Sequence, residues 1–218
     1  LRGNTQVLYP NLASAESGES YYALDNNEGF ELVSSPVSNN WVWWMFKRAT
    51  GFFDVVAYTG SGSATTQAHN LGVVPELMII KRRDGVVHWA VYSAARTSAY
   101  TLALEASSAE FSGASYWNAT EPTASVFTVN THSSVNQSSG TYIAYLFATL
   151  AGVSKVGSYT GTGSDLNVDC GFSAGARWIM IKRSDSTGDW YVWDSARGIV
   201  AGNDPYLLLN STAAEVTN

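Results

Sequence analysis

Residues 77–92 read Leu77-Met78-Ile79-Ile80-Lys81-Arg82-Arg83-Asp84-Gly85-Val86-Val87-His88-Trp89-Ala90-Val91-Tyr92. Two apolar runs rich in β-branched and aromatic residues flank Asp84-Gly85, a dipeptide whose members both accept positive φ, so the stretch predicts strands over Leu77–Arg82 and 86–92 joined by a hairpin turn. The same pattern returns in Trp178-Ile179-Met180-Ile181-Lys182-Arg183 and, after a looser connection over 184–188, in Asp189-Trp190-Tyr191-Val192-Trp193-Asp194. Further strands are expected at 53–58, 100–104, 125–130 and 141–148. No segment keeps a capped 3.6-residue period over three turns. The expectation is an all-β chain: an antiparallel β-sandwich of jelly-roll or lectin-like kind.

Composition agrees with that reading. The 218 residues include 19 Gly, 8 Trp and 12 Tyr, with 45% hydrophobic residues and only 14% charged. Soluble domains usually carry roughly 25% charged residues, and this chain combines enough apolar mass for a core with many turn formers. A net charge of −6 leaves no broad cationic field for nucleic acid or an anionic membrane surface. Cys170 is the single cysteine, so neither an intrachain disulfide nor a thiolate cluster can form. No apolar run reaches the roughly 20 residues of a membrane helix.

The hairpins belong to a longer internal repetition. An offset of 101 pairs Phe46 with Phe147, Gly51 with Gly152, Tyr58-Thr59-Gly60 with Tyr159-Thr160-Gly161, Lys81-Arg82 with Lys182-Arg183, Trp89 with Trp190 and Arg96 with Arg197. Offsets of 94 and 105 align Asn11-Leu-Ala-Ser-Ala-Glu16, Glu105-Ala-Ser-Ser-Ala-Glu110 and Asn210-Ser-Thr-Ala-Ala-Glu215. A unit of about a hundred residues exceeds the roughly 20–50 of solenoid repeats and is long enough to be a domain. The matches divide the chain into 1–50, the end of a preceding unit, 51–151, a complete unit, and 152–218, the start of a further one. Because Arg2-Gly3 matches Arg197-Gly198, the cut falls inside a unit. That phase predicts either a polypeptide continuing on at least one side or spatial boundaries permuted against the sequence repeat.

Several motifs are better explained by structure than by chemistry. Gly171-Phe172-Ser173-Ala174-Gly175 fits the nucleophile-elbow pattern, but His69, His88 and His132 all precede Ser173, whereas that fold supplies its base afterwards. Gly60-Ser61-Gly62 and Gly161-Thr162-Gly163 lack the G-K-[ST] continuation of a phosphate loop. Asp25-Asn26-Asn27-Glu28-Gly29 lacks the completing Glu of a calcium loop, and the histidines have no ligand spacing for zinc. The aromatic runs Trp41-Val42-Trp43-Trp44-Met45-Phe46 and Tyr142-Ile143-Ala144-Tyr145-Leu146-Phe147 read as strands covered on both faces. Neither an enzyme, a cofactor nor a metal is expected.

The hairpins carry the candidate site. Alternation puts Trp89 and Val91 on a core face, with His88 and Tyr92 opposite; the second hairpin repeats this with Trp190 and Val192 against Asp189, Tyr191 and Trp193. The outward face then offers a ring beside charge: Trp193, Asp194, Arg197 and Lys182 in one copy, Tyr92, Arg96 and Lys81 in the other. One role is an ion pair that pins the loop. The other is a shallow sugar site, in which a ring stacks on a pyranose while Asp and Arg bond its hydroxyls.

Tyr159-Thr-Gly-Thr-Gly163, Trp178-Ile-Met-Ile-Lys-Arg183, Ser186-Thr-Gly-Asp-Trp190, Asp194-Ser-Ala-Arg197 and Leu207-Leu-Leu-Asn210, with Tyr116-Trp117-Asn118 and Pro122-Thr-Ala-Ser-Val-Phe127, carry a resemblance over nearly the whole chain. They resemble a repeated domain of unknown function found in tail-fibre-like structural proteins of tailed, marine-type bacteriophages. The first copy departs from the pattern where Asp-Ser-Ala-Arg becomes Ser93-Ala94-Ala95-Arg96. The resemblance implies a virion protein on the outside of the particle. Its expected partners are other virion proteins, a homotrimeric assembly and a host cell-surface glycan, without membrane insertion. The alternative is a fibre spacer or capsid decoration with no ligand.

Overall fold

A computed structural model describes residues 6–18, 22–23, 29, 31–32, 42–199 and 204–217. The fold is mostly β. In chain order the strands are β1 (Gln6–Val7), β2 (Ser17–Gly18), β3 (Tyr22–Ala23), β4 (Glu31–Leu32), β5 (Phe53–Thr59), β6 (Thr65–Ala68), β7 (Leu77–Arg82), β8 (Ala90–Ser93), β9 (Tyr100–Ala103) and β10 (Phe111–Ser112). After the one-turn helix α1 (Ala114–Trp117) come β11 (Val126–Val129), the second one-turn helix α2 (Ser133–Asn136), β12 (Thr141–Phe147), β13 (Trp178–Lys182), β14 (Trp190–Asp194) and β15 (Leu207–Leu208).

The centre is a six-stranded antiparallel sheet in the order β10-β9-β8-β7-β12-β5. Strand β12 is bonded on both edges, with Tyr142 opposite Tyr58 on one side and Arg82 on the other. Apolar clusters pack on both faces of this central strand, which is why Tyr142, Ile143, Ala144 and Leu146 are all buried. One face of the sheet, Met78, Ile80, Ala90, Tyr92, Tyr142, Ala144 and Leu146, packs under Phe127 and Val129 of β11, Tyr116 and Trp117 of α1, and Val135 of α2. The opposite face, with Trp89, Val91, Leu102 and Leu104 buried and Leu77, Ile79 and Tyr145 packed beside them, meets Leu8, Met180, Trp190 and Leu209. The three-stranded sheet β13-β14-β15 carries two of these, Met180 and Trp190, and Leu209 directly follows β15.

Strand β7 follows the sequence reading, but its partner starts at Ala90 rather than at 86. Residues 85–89 are spent elsewhere: the carbonyls of Gly85 and Val87 accept from the Lys81 ammonium, and Val87 N–H donates to Ala13 O at 3.0 Å. Val86 is left at the surface. The expected aromatic strand over 41–46 also differs. Residues 42–46 form no strand, and Trp43, Met45 and Phe46 are exposed; Trp41 lies outside the described residues, as do Arg2-Gly3 and Asp25–Glu28 of the acidic loop. Without ladder bonds the segment holds by side chains, Phe46 meeting Trp178 edge-on at 5.9 Å and Trp44 Nε1 donating to Asp194 at 3.0 Å.

Gly60 is required for close approach. A Cβ there would stand 2.2 Å from Gln137 O, because the turn after β5 is drawn against the end of α2, where Asn136 Oδ1 accepts from Ser61 N–H at 2.7 Å. The Gly60-Ser61-Gly62 segment is therefore a packed turn.

Candidate functional site

The antiparallel register decides which of the predicted residues can meet. Asp194 lies opposite Trp178, whereas Lys182 lies opposite Trp190, four positions along the same ladder. At about 3.3 Å per residue that separates them by roughly 13 Å, so Lys182 does not join Asp194 and Arg197 in one set. Lys81 is displaced from the Tyr92 end of its hairpin in the same way, since Met78 faces Tyr92.

Both lysines turn instead toward carbonyl groups. Lys81 is fully buried, and its ammonium donates to Ala13 O, Gly85 O and Val87 O at 3.0, 3.1 and 3.0 Å. Those bonds use all three protons of the group. Burial pulls its pKa down to about 8, with the Glu105 carboxylate working against the shift. Lys182 donates to Ser107 O at 3.3 Å and Arg183 O at 2.7 Å, and burial lowers its pKa too.

Asp194 and Arg197 do come together. Arg197 Nη2 stands 2.8 Å from Asp194 Oδ2 and also donates to Val192 O at 3.0 Å, while Nε lies 3.4 Å from Glu215. The other Asp194 oxygen accepts the N–H groups of Ala196 and Arg197, which fixes the turn after β14. Arg197 also lies over the Trp44 ring at 5.6 Å. Both side chains are nearly inaccessible, 4% and 3% exposed for Asp194 and Arg197. This pair pins a loop.

In the first copy Arg96 is paired with Glu110 and lies over Tyr100. Tyr92 is core: it packs edge-on against Trp117 at 5.8 Å and its hydroxyl donates to Glu121 at 2.5 Å. Burial, then the Glu121 carboxylate, pushes its pKa far up. Burial alone would raise the pKa of Glu121, but donation from Ser98 N–H and Tyr92 leaves it lowered. The face read as outward is thus the inner face of the main sheet, because the β6–β11 pair and α1 cover it.

Trp193 is the predicted residue that keeps ring surface. It is half-buried, stacked on Tyr191 at 5.7 Å with planes 16° apart, and tilted against Tyr206 at 5.9 Å. A separate groove of about 410 Å³ is lined by Phe46, Phe53, Val55, Ile79, Trp89, Leu104, Tyr145 and Phe147, and so offers little for bonding hydroxyls. Ser173 is exposed in a loop, with no helix after it among the described residues. Among these residues no cluster of three His, Cys, Asp or Glu side chains could hold a metal, and no helix is long and apolar enough to cross a membrane.

Sequence reasoning missed a set of matched contacts between distant segments. Trp89 Nε1 donates to Tyr9 O and Leu12 O at 3.2 and 3.0 Å, and Trp190 Nε1 to Ala103 O at 3.0 Å. Val87 N–H meets Ala13 O as Gly188 N–H meets Ser107 O, at 3.0 and 2.9 Å; Glu16 N–H meets Arg83 O as Glu110 N–H meets Ser184 O, both at 2.8 Å. Glu16 adds a bidentate pair with Arg83 at 2.9 Å. The recurrent Ala-Glu ending of the three aligned segments was the visible trace of these contacts.

No curated protein and no solved structure gives a significant match to the chain. One family model does match, over residues 1–218, and it describes a domain of unknown function, DUF7483. With its whole length covered, the chain belongs to the DUF7483 family.

Proposed function

We propose that this chain is a structural module of a tailed-bacteriophage virion, in a tail fibre or similar surface assembly, built from two pseudo-repeats of about a hundred residues. The 51–151 unit carries the six-stranded antiparallel sheet with the β6–β11 pair packed on one face, and adjacent units are tied by interlocking backbone contacts. The observation that carries the reading is the matched pair of interlocks, Lys81 with Ala13 and Lys182 with Ser107. Committing charge-bearing side chains to backbone carbonyls suits a part that transmits shape along an assembly. The phage assignment rests on the sequence resemblance, as does the expectation of a homotrimer. Gold-labelled antibody against this chain, imaged on intact virions of a phage that encodes it, should decorate fibres; label on the capsid would select the decoration role, and unlabelled virions would remove the assignment. Light scattering at micromolar concentration should give a trimer mass.

A glycan-binding role is the second reading, favoured by the Tyr191, Trp193 and Tyr206 rings. Stacked rings suit the apolar face of a sugar. Glycan-array binding that is lost in Trp193→Ala but kept in Lys81→Met would support it. An assembled protein that binds no glycan would leave the spacer role.

A further inference from the structure

Three short segments of the chain make the same turn. Val7 pairs with Ser17, Thr101 with Phe111 and Tyr206 with Val216, each antiparallel. Inside each arch one N–H closes the first turn: Leu12 to Tyr9 O at 3.1 Å, Ala106 to Ala103 O at 3.3 Å, Ser211 to Leu208 O at 3.2 Å. All three finish on a glutamate, Glu16, Glu110 and Glu215.

Two of the arches are filled. The first receives the 77–93 hairpin and the second the 178–194 hairpin, each through a Lys ammonium, a Trp Nε1, a loop N–H and the glutamate N–H. In both hairpins the Trp follows the Lys by eight residues, Lys81 to Trp89 and Lys182 to Trp190. Among the described residues no hairpin lies on the third arch. Thr212, Ala214 and Glu215 are exposed, whereas their counterparts Ala13, Ala15 and Glu16, and Ser107, Ala109 and Glu110, are half-buried.

We propose that the third arch is a docking surface for the β-hairpin of a further unit of this same kind, one carrying Lys and, eight residues later, Trp. In the matching geometry Leu208 O takes the indole N–H, Thr212 O takes the ammonium and the loop N–H, and Glu215 N–H donates to the hairpin backbone. The occupant is set by continuity: the two filled arches show which hairpin chemistry these positions accept. This goes beyond a spacer role, because it makes the module extensible in one direction, from arch to hairpin.

The test joins a second copy of residues 113–217 directly after Thr217, where Gly113 follows Ser112 in the existing chain, and reads hydrogen exchange in the peptide spanning the junction. The Glu215 amide should exchange at least about tenfold more slowly than in the unextended chain. An appended hairpin that is itself protected while Glu215 remains unprotected overturns the proposal. Should the appended unit fail to fold, replacing residues 9–16 of the existing chain with the sequence of 208–215 decides: Val87 amide protection within about threefold of the parent supports it, and loss of that protection, with or without wider unfolding, overturns it. Protection of Glu215 that grows with concentration of the unextended chain would assign the surface to a second copy instead, and also overturn it.

Discussion

Lys81 Nζ lies 3.0 Å from Ala13 O, a carbonyl 68 residues earlier in the chain, and the contact is made from a fully buried position. An ammonium out of water is tolerated only where its protons are all bonded. Here one side chain stitches the arch, the hairpin loop and the sheet together.

Lys81→Met keeps the stem but strands the carbonyls of Gly85 and Val87, while Ala13 O keeps the bond from Val87 N–H. We expect a loss of about 2–4 kcal/mol, read by chemical denaturation. Lys81→Arg should also destabilise, since the planar guanidinium cannot reproduce three diverging bonds.

The same lysine predicts a pH dependence. Its folded pKa is lowered from 10.5 to about 8, so between those values the unfolded chain binds more protons than the folded one. Stability from this group therefore rises with pH across about 8 to 10.5. The tyrosines act oppositely: Tyr58, Tyr92, Tyr116 and Tyr142 are raised above 10.0, and their contribution is lost as pH climbs past that value. Denaturation midpoints taken from pH 7 to 9.5 should rise for the parent relative to Lys81→Met; a constant difference would refute the linkage.

Trp190→Phe retains the ring and removes the donor to Ala103 O. The carbonyl keeps the 3.3 Å bond from Ala106 N–H, so losing the indole donor should cost about 0.5–1.5 kcal/mol. Hydrogen exchange should then show β13 and β14 opening separately from the six-stranded sheet, whereas uniform protection would mean that the interlock does not couple them.

Asp194→Asn can keep an acceptor for the turn amides, but it sets an NH2 where Oδ2 met Trp44 Nε1–H and leaves Arg197 without its buried counter-charge. A loss of about 3–5 kcal/mol is expected in thermal or chemical unfolding. A variant as stable as the parent would show that Glu215 alone satisfies the guanidinium.

Gly60→Ala and Gly161→Ala separate equivalent positions by packing. The first drives a methyl into Gln137 O, and nothing lies within 4 Å of the second. The expected costs are about 1–3 kcal/mol for Gly60→Ala and under about 1 kcal/mol for Gly161→Ala. Equal effects would contradict the close approach.

Strand type and most strand positions were legible in the chain itself, because alternation and two-sided apolar runs report directly on coverage: β5, β7, β11, β12, β13 and β14 lie within two residues of their expected ends. The start of β8 was not legible, since Val86 and Val87 have strand-like side chains but Val87 bonds to Ala13, far away in sequence. The candidate site fared differently by residue. Asp194 and Arg197 could be paired from their spacing, whereas the roles of Lys81, Lys182 and Tyr92 depended on what covers them.

The amino-acid sequence by itself determined an all-β chain, the offset that relates its hairpins, and the recurrence of Lys, Trp and Glu at matched positions. Only the tertiary structure decided that those residues face one another across arches and hairpins rather than solvent. The reason is physical: alternation names two faces of a strand, but which face is inner depends on segments that arrive from dozens of residues away. Where the arch brings carbonyls to Lys81 the charge is buried, and where Trp117 and Phe127 arrive the supposed outer face becomes core.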